Sequence, residues 1–146
     1  MSPQQKDKME NYIEIYTDGA SRGNPGPAAF AFIFKNEKGK IFHKGYGYIG
    51  KKTNNSAEYL AIINALKAAQ KFTDREIHLF SDSQLVTRQL NQEYKVNKAH
   101  LRKYRHQIYD LVKKFKKVSF HHVGRNNSNI QKCDALCNQV LDEKNI

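Results

Sequence analysis

Three strand-like segments open this chain before the first helical pattern begins, and this order restricts the fold more than any other feature. The strands are predicted at residues 11–17, 28–35 and 40–49, where β-branched and aromatic side chains are concentrated. Turn-forming residues separate them, because glycine, asparagine and proline crowd residues 20–27 and a hairpin turn is predicted at residues 36–39. A meander of three neighbouring strands is therefore expected.

Helical and strand patterns alternate in the rest of the chain. The predicted helices are 54–71, 83–91, 98–116 and 131–142, and the predicted strands are 76–80 and 118–123. The order is thus βββαβααβα, which predicts an α/β fold. Strands that are separated by helices pair in parallel, so we expect a mixed sheet with helices packed on it.

Size and composition predict a single domain. A chain of 146 residues with 39% hydrophobic residues can bury one core. We expect residues 1–10 to form a flexible N-terminal tail and residues 11–146 to form the domain, as a monomer. The sequence contains no apolar run of the ~18–20 residues that a membrane helix needs, and no secretory signal is visible. We therefore expect a cytoplasmic protein without a membrane partner.

The charge of the chain is strongly basic. Lysine and arginine number 25 against 14 acidic residues, a net charge of +11, which favours a polyanion such as nucleic acid or, less often, a membrane surface. Solubility alone is the alternative. Nine basic residues lie close together in the sequence: Lys95, Lys98, Arg102, Lys103, Arg105, Lys113, Lys114, Lys116 and Lys117. As a set they indicate phosphate contacts, although any one of them could belong to an ordinary solvated helix face.

Four acidic residues lie where predicted elements begin or end. Asp18 ends the first strand and Asp82 the fourth, while Glu58 falls in the first turn of a helix and Asp134 near the start of another. If the first and fourth strands are parallel neighbours, Asp18 and Asp82 meet at the edge where such sheets bind ligands. Gathered carboxylates repel one another unless a cation neutralises them. Taken singly, each has a structural alternative: a turn, a helix-dipole partner, a helix cap or a solvated face.

Four segments resemble the motifs of the type 1 ribonuclease H family. They are residues 16–26, 53–58, 81–86 and 133–138, in the family's order, and together they cover nearly the whole chain. The resemblance implies a ribonuclease H-like fold, a five-stranded mixed sheet in the order 3-2-1-4-5 flanked by helices. It also implies an endonuclease that hydrolyses the RNA strand of RNA–DNA hybrids and leaves 5′-phosphate and 3′-hydroxyl ends. The short segment 91–101 is similar to family members that lack the basic protrusion.

The resemblance also implies roles for individual residues. Asp18, Glu58, Asp82 and Asp134 match the family's metal-binding carboxylates, which would hold two Mg²⁺ ions; Mn²⁺ is expected to substitute, because oxygen ligands suit both ions. Residues expected to contact the hybrid are Gly23, Asn24, Thr53, Asn54, Asn55, Ser83 and Gln84, with Lys95, Lys98, Arg102 and Arg105 on phosphates. Asn54 and Asn55 could instead cap the helix that follows them.

One position departs from the family pattern. Many members carry a histidine after a glycine in the loop before the last aspartate, and here Arg125 follows Gly124. An arginine cannot shuttle protons at neutral pH, but it can bind a phosphate and stabilise charge, so Arg125 is predicted to assist catalysis. His121 and His122 lie on a strand and should point to opposite faces, one of them towards the core. Two alternatives stay open: a non-catalytic nucleic-acid-binding module, and the ribonuclease H domain of a reverse transcriptase.

Overall fold

A computed structural model describes residues 10–144 of the chain. The predicted tail, residues 1–10, therefore lies outside the described residues except for its last one. The elements in chain order are β1 (Tyr12–Ser21), β2 (Gly26–Lys35), β3 (Ile41–Lys52), α1 (Asn54–Ala69), β4 (Glu76–Ser81), α2 (Gln84–Leu90), α3 (Ala99–Val112), β5 (Lys117–His122) and α4 (Ser128–Glu143). This order is the predicted βββαβααβα.

The five strands form one mixed sheet in the order β3-β2-β1-β4-β5. The meander pairs antiparallel, whereas β1 pairs in parallel with β4, and β4 in parallel with β5. The predicted fold is thereby confirmed. Because side chains alternate along a strand, β1 contributes to two cores. Ile13 and Ile15 pack with Leu66 and Ile108 from the helices on one face, while Tyr16 packs with Cys137 of α4 on the other.

The first strand is longer than predicted, which changes the position of Asp18. The parallel ladder with β4 stops at the pair Thr17 and Ser81, but the antiparallel ladder with β2 continues to Ser21. The sequence indicated that Asp18 is the last residue of its strand, but three more residues of β1 follow it. Asp18 is the first residue beyond the parallel ladder, so β2 holds its backbone while its β4 side is free to face Asp82.

Two helices are capped by side chains that the sequence did not identify, although α1 begins at residue 54 as predicted. The hydroxyl of Thr53, and not Asn54 or Asn55, accepts the N–H of Ser56 at the start of α1. Glu58 consequently lies in the second turn of α1, not in the first. At the start of α4, the side chain of Asn127 accepts two backbone N–H groups, so this helix begins three residues earlier than predicted.

The connection from α2 to α3 is short. Residues 91–98 contain turns and bends but no helix or strand, which agrees with the expected lack of a protruding helix. Helix α3 ends at Val112, four residues before its predicted end, because the chain turns there to reach β5. Within residues 10–144, no helix has both the length and the apolar character needed to cross a bilayer.

Candidate active site

Three of the four predicted carboxylates converge at the carboxyl ends of β1 and β4. Asp18, Glu58 and Asp82 each offer an oxygen atom that lies within 4.8 Å of the other two. Asp18 follows the parallel ladder, Asp82 directly follows β4, and Glu58 enters from α1. Asp18 and Glu58 are only 6% and 7% exposed. The arrangement explains these residues together, whereas the separate structural alternatives would not bring them to one point.

Asp134 lies at the same cleft but stands apart from the three. The cleft has a volume of about 490 Å³, and both Asp134 and the clustered carboxylates line it. Asp134 is on the second turn of α4, is exposed, and accepts a hydrogen bond of 3.3 Å from the side-chain amide of Asn138. The cleft thus has a buried acidic side and an open one.

The backbone of Gly19 holds Glu58 in place. Its N–H donates to one carboxylate oxygen of Glu58 at 2.7 Å, and the hydroxyl of Ser81 donates to the other at 3.2 Å. A Cβ atom at position 19 would lie 2.3 Å from the carbonyl of Ala57, so this contact between β1 and α1 requires glycine. The Asp-Gly pair therefore serves helix–strand packing rather than a turn. Gly19 and Ser81 were not predicted as site residues, although each is the direct neighbour of a predicted aspartate.

Burial makes the negative charge of the cluster costly. It raises the pKa of Asp18 to about 7; the hydrogen bond shared with Glu58 opposes this shift, and the charges of Asp82 and Asp134 add to it. Burial and the charge of Asp18 raise the pKa of Glu58 well above its ordinary value. The pKa of Asp82 is also raised by burial, with the guanidinium of Arg125 acting against the shift.

These observations fit a divalent metal ion. The donor set is oxygen only, as hard cations prefer, and it is preassembled by the fold. A cation would favour the ionised carboxylates, which burial alone disfavours.

Arg125 lies on the open side of the cleft. Its Nε atom is 3.9 Å from a carboxylate oxygen of Asp82, and its side chain is 92% exposed. Sequence reasoning selected Arg125 but did not foresee this ion pair. The expectation that one of two neighbouring histidines faces the core is wrong: both His121 and His122 are exposed, because β5 is the edge strand of the sheet. The ring of His121 stacks on Phe80 at 5.1 Å.

The predicted hybrid-contacting residues divide into two groups. Asn54, Asn55 and Ser83 line the cleft, whereas Gly23, Asn24, Thr53 and Gln84 do not. Asn24 nevertheless connects to the cleft, because its side-chain oxygen accepts the N–H of Asn54 at 3.0 Å. The side-chain oxygen of Asn54 in turn accepts the N–H of Ser21 at 3.1 Å. These bonds attach the turn after β1 to the start of α1.

The predicted basic contacts lie around residues 91–98. Lys95 and Arg105 line a second cleft of about 540 Å³ together with Tyr94 and Tyr109. Lys98 is exposed at the start of α3. Arg102 has a structural role that the sequence did not indicate, since its guanidinium donates to the carbonyl oxygens of Val96 at 3.2 Å and Asn97 at 2.6 Å.

A buried glutamine that sequence reasoning missed supports the same loop. Gln89 accepts a hydrogen bond of 2.7 Å from the hydroxyl of Tyr59 and donates one of 3.2 Å to the carbonyl of Lys95. Tyr59 is the neighbour of Glu58 on α1, so this chain of bonds joins the acidic cluster to residues 91–98, which we call the basic loop. Only its burial in the folded chain distinguishes Gln89 from other helix glutamines, and no sequence signal marks it.

Comparison with known proteins gives the class of the protein. A family model described as reverse transcriptase-like matches residues 16–140. Ribonuclease HI of Halobacterium salinarum is 43% identical over 131 residues, which cover 90% of this chain and 65% of that protein. A bifunctional protein of Mycobacterium tuberculosis is 33% identical over 131 residues, 89% of this chain and 35% of that protein. The chain thus spans about two thirds or less of the length of these relatives.

Solved structures agree with this class. The crystal structure of RNase H1 from Halobacterium salinarum has a TM-score of 0.86 at 42% identity, and the match covers 90% of this chain and 98% of that one. LC11-RNase H1, isolated from compost and solved in complex with an RNA/DNA hybrid, has a TM-score of 0.85 at 36% identity, covering 92% and 99%. The chain belongs to the reverse transcriptase-like family and, within it, to the type 1 ribonucleases H.

Proposed function

We propose that this chain is an endonuclease that hydrolyses the RNA strand of RNA–DNA hybrids and leaves 5′-phosphate and 3′-hydroxyl ends. The observation that carries the proposal is the cluster of Asp18, Glu58 and Asp82 at the carboxyl ends of two parallel strands. The relatives named ribonuclease HI, and the hybrid bound to LC11-RNase H1, support the choice of reaction and substrate.

The four carboxylates are the ligands in this proposal. Asp18, Glu58, Asp82 and Asp134 would hold two Mg²⁺ ions, and Mn²⁺ should substitute because both ions accept oxygen ligands. Bound ions of this kind increase the acidity of water and stabilise charge on a leaving oxygen. Glu58 is fixed by hydrogen bonds to Gly19 and Ser81, so its remaining lone pairs point to a set position before any substrate arrives.

Arg125 acts from the open side of the cleft. Its guanidinium is close to Asp82 and remains almost fully exposed, so its other N–H groups are available to a phosphate of the RNA strand. It stabilises negative charge that develops there and transfers no proton. The guanidinium also offsets part of the repulsion between Asp82 and the buried carboxylates.

Recognition of the hybrid uses neutral groups at the cleft and cations away from it. Distinguishing RNA from DNA requires contacts to the 2′-hydroxyl, for which Asn54, Asn55 and Ser83 are suitably placed donors and acceptors. The further contacts that we propose are Gly23, Asn24 and Gln84 in the minor groove, Thr53 on a DNA phosphate, and Lys95, Lys98, Arg102 and Arg105 on phosphates. The cations supply affinity without sequence preference.

A cleavage assay tests the proposal directly. End-labelled RNA–DNA hybrid is incubated with the protein in Mg²⁺, in Mn²⁺ and in EDTA, beside single-stranded RNA and duplex DNA. We expect cleavage of the hybrid RNA alone, dependent on metal, and none by Asp18→Asn. Asp110→Asn is the matched control, because Asp110 is an exposed aspartate of α3 that pairs with Lys113. Hybrid binding without cleavage under any metal would instead support the non-catalytic module.

Other predictions about the whole protein remain open to measurement. The described domain is compatible with a place in a longer protein, including a reverse transcriptase, because related chains extend beyond the matched part. A monomer is predicted and can be checked by analytical ultracentrifugation of the chain at several concentrations. The cytoplasmic location stays a prediction that fractionation of cells would check.

A further inference from the structure

Two tyrosines on the edge strand of the sheet project into solvent. Tyr46 is 50% exposed and Tyr48 is 40% exposed, the first being the most exposed large apolar side chain among residues 10–144. Both lie on β3, which has a hydrogen-bonded neighbour on one side only. Neither residue lines the acidic cleft. Adjacent exposed aromatic rings on a folded domain commonly mark a binding surface.

The packing of the other face fixes these tyrosines in their orientation. Side chains alternate along β3, so Gly45 and Gly47 face the opposite side, where the rings of Phe32 and Phe30 cover them. A Cβ atom at position 45 would lie 2.1 Å from the ring of Phe32. A shift of the strand by one residue would force a tyrosine into that space. The exposed rings are therefore displayed by a rigid backbone.

Two lysines lie on the same side of the sheet as the rings. The Nζ atom of Lys144 lies 5.2 Å from the ring centroid of Tyr48, and Lys44 is on the same face of β3 as the tyrosines. Beside them, a groove of about 500 Å³ runs between α4 and the sheet. Its described lining includes Lys44 and Lys132 and no carboxylate. Aromatic rings and cations thus occupy one continuous surface.

We propose that Lys44, Tyr46, Tyr48 and Lys144 form a binding site for single-stranded nucleic acid. Bases stack on aromatic rings without sequence preference, and lysines neutralise the phosphates between them. A second copy of this chain is a poorer occupant, because a net charge of +11 makes two copies repel each other. An apolar peptide would leave the lysines without partners.

Strand β3 leads from the site towards the acidic cleft, and this part of the inference rests on the proposed function. Strand β3 runs from Tyr48 to Lys52, whose carbonyl accepts a hydrogen bond of 2.8 Å from the hydroxyl of Ser21, a residue that lines the cleft. Tyr48 and Lys52 are four residues apart along the strand, which corresponds to at most ~13 Å. A strand that leaves a hybrid at the cleft could therefore continue over the tyrosines.

The test compares hybrids of one sequence that differ only in their ends. Fluorescence anisotropy in EDTA measures the affinity for a blunt hybrid, for the same hybrid with a DNA or an RNA overhang, and for the single strand alone. The variants are the double substitution Tyr46→Ala and Tyr48→Ala, and its matched control Tyr46→Phe and Tyr48→Phe, which keeps the rings. Circular dichroism and thermal melting confirm that both variants fold.

We expect wild type to bind one of the overhang hybrids roughly tenfold more tightly than the blunt one, from the stacking of one or two bases. The alanine variant should lose this preference and the phenylalanine variant should keep it, with cleavage of the blunt hybrid unchanged in both. The more tightly bound overhang, DNA or RNA, identifies the strand that occupies the site.

Equal affinity of wild type for blunt and overhang hybrids would overturn the inference. The inference would also fail if the alanine variant lost as much affinity for the blunt hybrid as it lost for the overhang hybrid. A dimer in sedimentation that the alanine variant abolishes would assign the surface to self-association instead. If wild type shows the overhang preference but cleaves no hybrid, the single-strand site stands and the proposed function fails.

Discussion

Replacing Asp18 by asparagine should stabilise the metal-free protein while it abolishes cleavage. Asp18 is 6% exposed and shares a small space with Glu58 and Asp82. The Asp18→Asn change is nearly isosteric, removes one buried charge, and gives the cluster an amide that can donate to Glu58. The free energy of unfolding should therefore rise at neutral pH, and the rise should depend on pH.

The sign and size follow from the raised pKa of Asp18. The carboxyl has a pKa of about 7 in the folded chain against 3.8 ordinarily, so between these values the native state holds a proton that the unfolded state has released. Stability is therefore lost as pH rises from about 4 to about 7. The whole pKa shift corresponds to a change of about 4 kcal/mol in the free energy of unfolding, which is an upper limit. Since Glu58 can carry the proton in place of Asp18, we expect about 1–3 kcal/mol between pH ~5 and pH ~8.

Urea unfolding in EDTA at several pH values measures this effect. Asp18→Asn should be more stable than wild type at pH ~8, and the difference should shrink as the pH falls. Added Mg²⁺ should stabilise wild type by mass action and the variant much less. Asp110→Asn, the exposed control, should differ from wild type by less than about 0.5 kcal/mol. A variant that is less stable than wild type at every pH, or that retains more than about one per cent of the cleavage rate, would refute the reasoning.

Three further predictions follow from the site. Gly19→Ala should destabilise the chain by about 2–3 kcal/mol in thermal or urea unfolding, because the new methyl group would overlap the carbonyl of Ala57; a neutral effect would contradict the close packing. Arg125→Ala should lower kcat roughly tenfold to a hundredfold without abolishing turnover, whereas a loss as heavy as that of Asp18→Asn would contradict its auxiliary role. Hybrid affinity should fall steeply with salt concentration. The Lys95→Ala and Lys98→Ala substitutions should each reduce the slope of log K against log salt by about one. A wild-type slope that corresponds to fewer than about two phosphate contacts would show that the basic loop does not bind the hybrid.

The convergence of the carboxylates could be predicted from the sequence, because it depends on topology. Strands that alternate with helices pair in parallel, and parallel strands bring their carboxyl ends to one edge. Asp18 and Asp82 are therefore neighbours if β1 lies beside β4, which is the strand order that the resemblance to the family implies. The length of β1 could not be predicted, because the glycines, asparagine and proline that follow it are typical of a turn. Antiparallel pairing with β2 extends the strand to Ser21 regardless.

Contacts between distant residues could not be predicted, because local patterns do not encode them. Thr53, Asn54 and Asn55 are all good capping residues, and only the path of the chain selects Thr53 as the cap. For the same reason, the sequence could not predict the ion pair of Arg125 with Asp82. It also could not predict that the guanidinium of Arg102 donates to the carbonyl of Asn97 in the loop before α3. Each depends on where a loop comes to rest on the finished sheet.

The two sides of the acidic cleft differ in what a substitution there can reveal. Glu58 is buried and held by Gly19 and Ser81, so removing it leaves two donors unsatisfied and disturbs folding as well as chemistry. Asp134 is exposed, and its carboxylate accepts a hydrogen bond from Asn138 on the same helix. A loss of activity in Asp134→Asn with unchanged stability would therefore report on the reaction alone. The buried side of the cleft makes the site rigid. Substitutions on the open side can test the function without changing the stability of the fold.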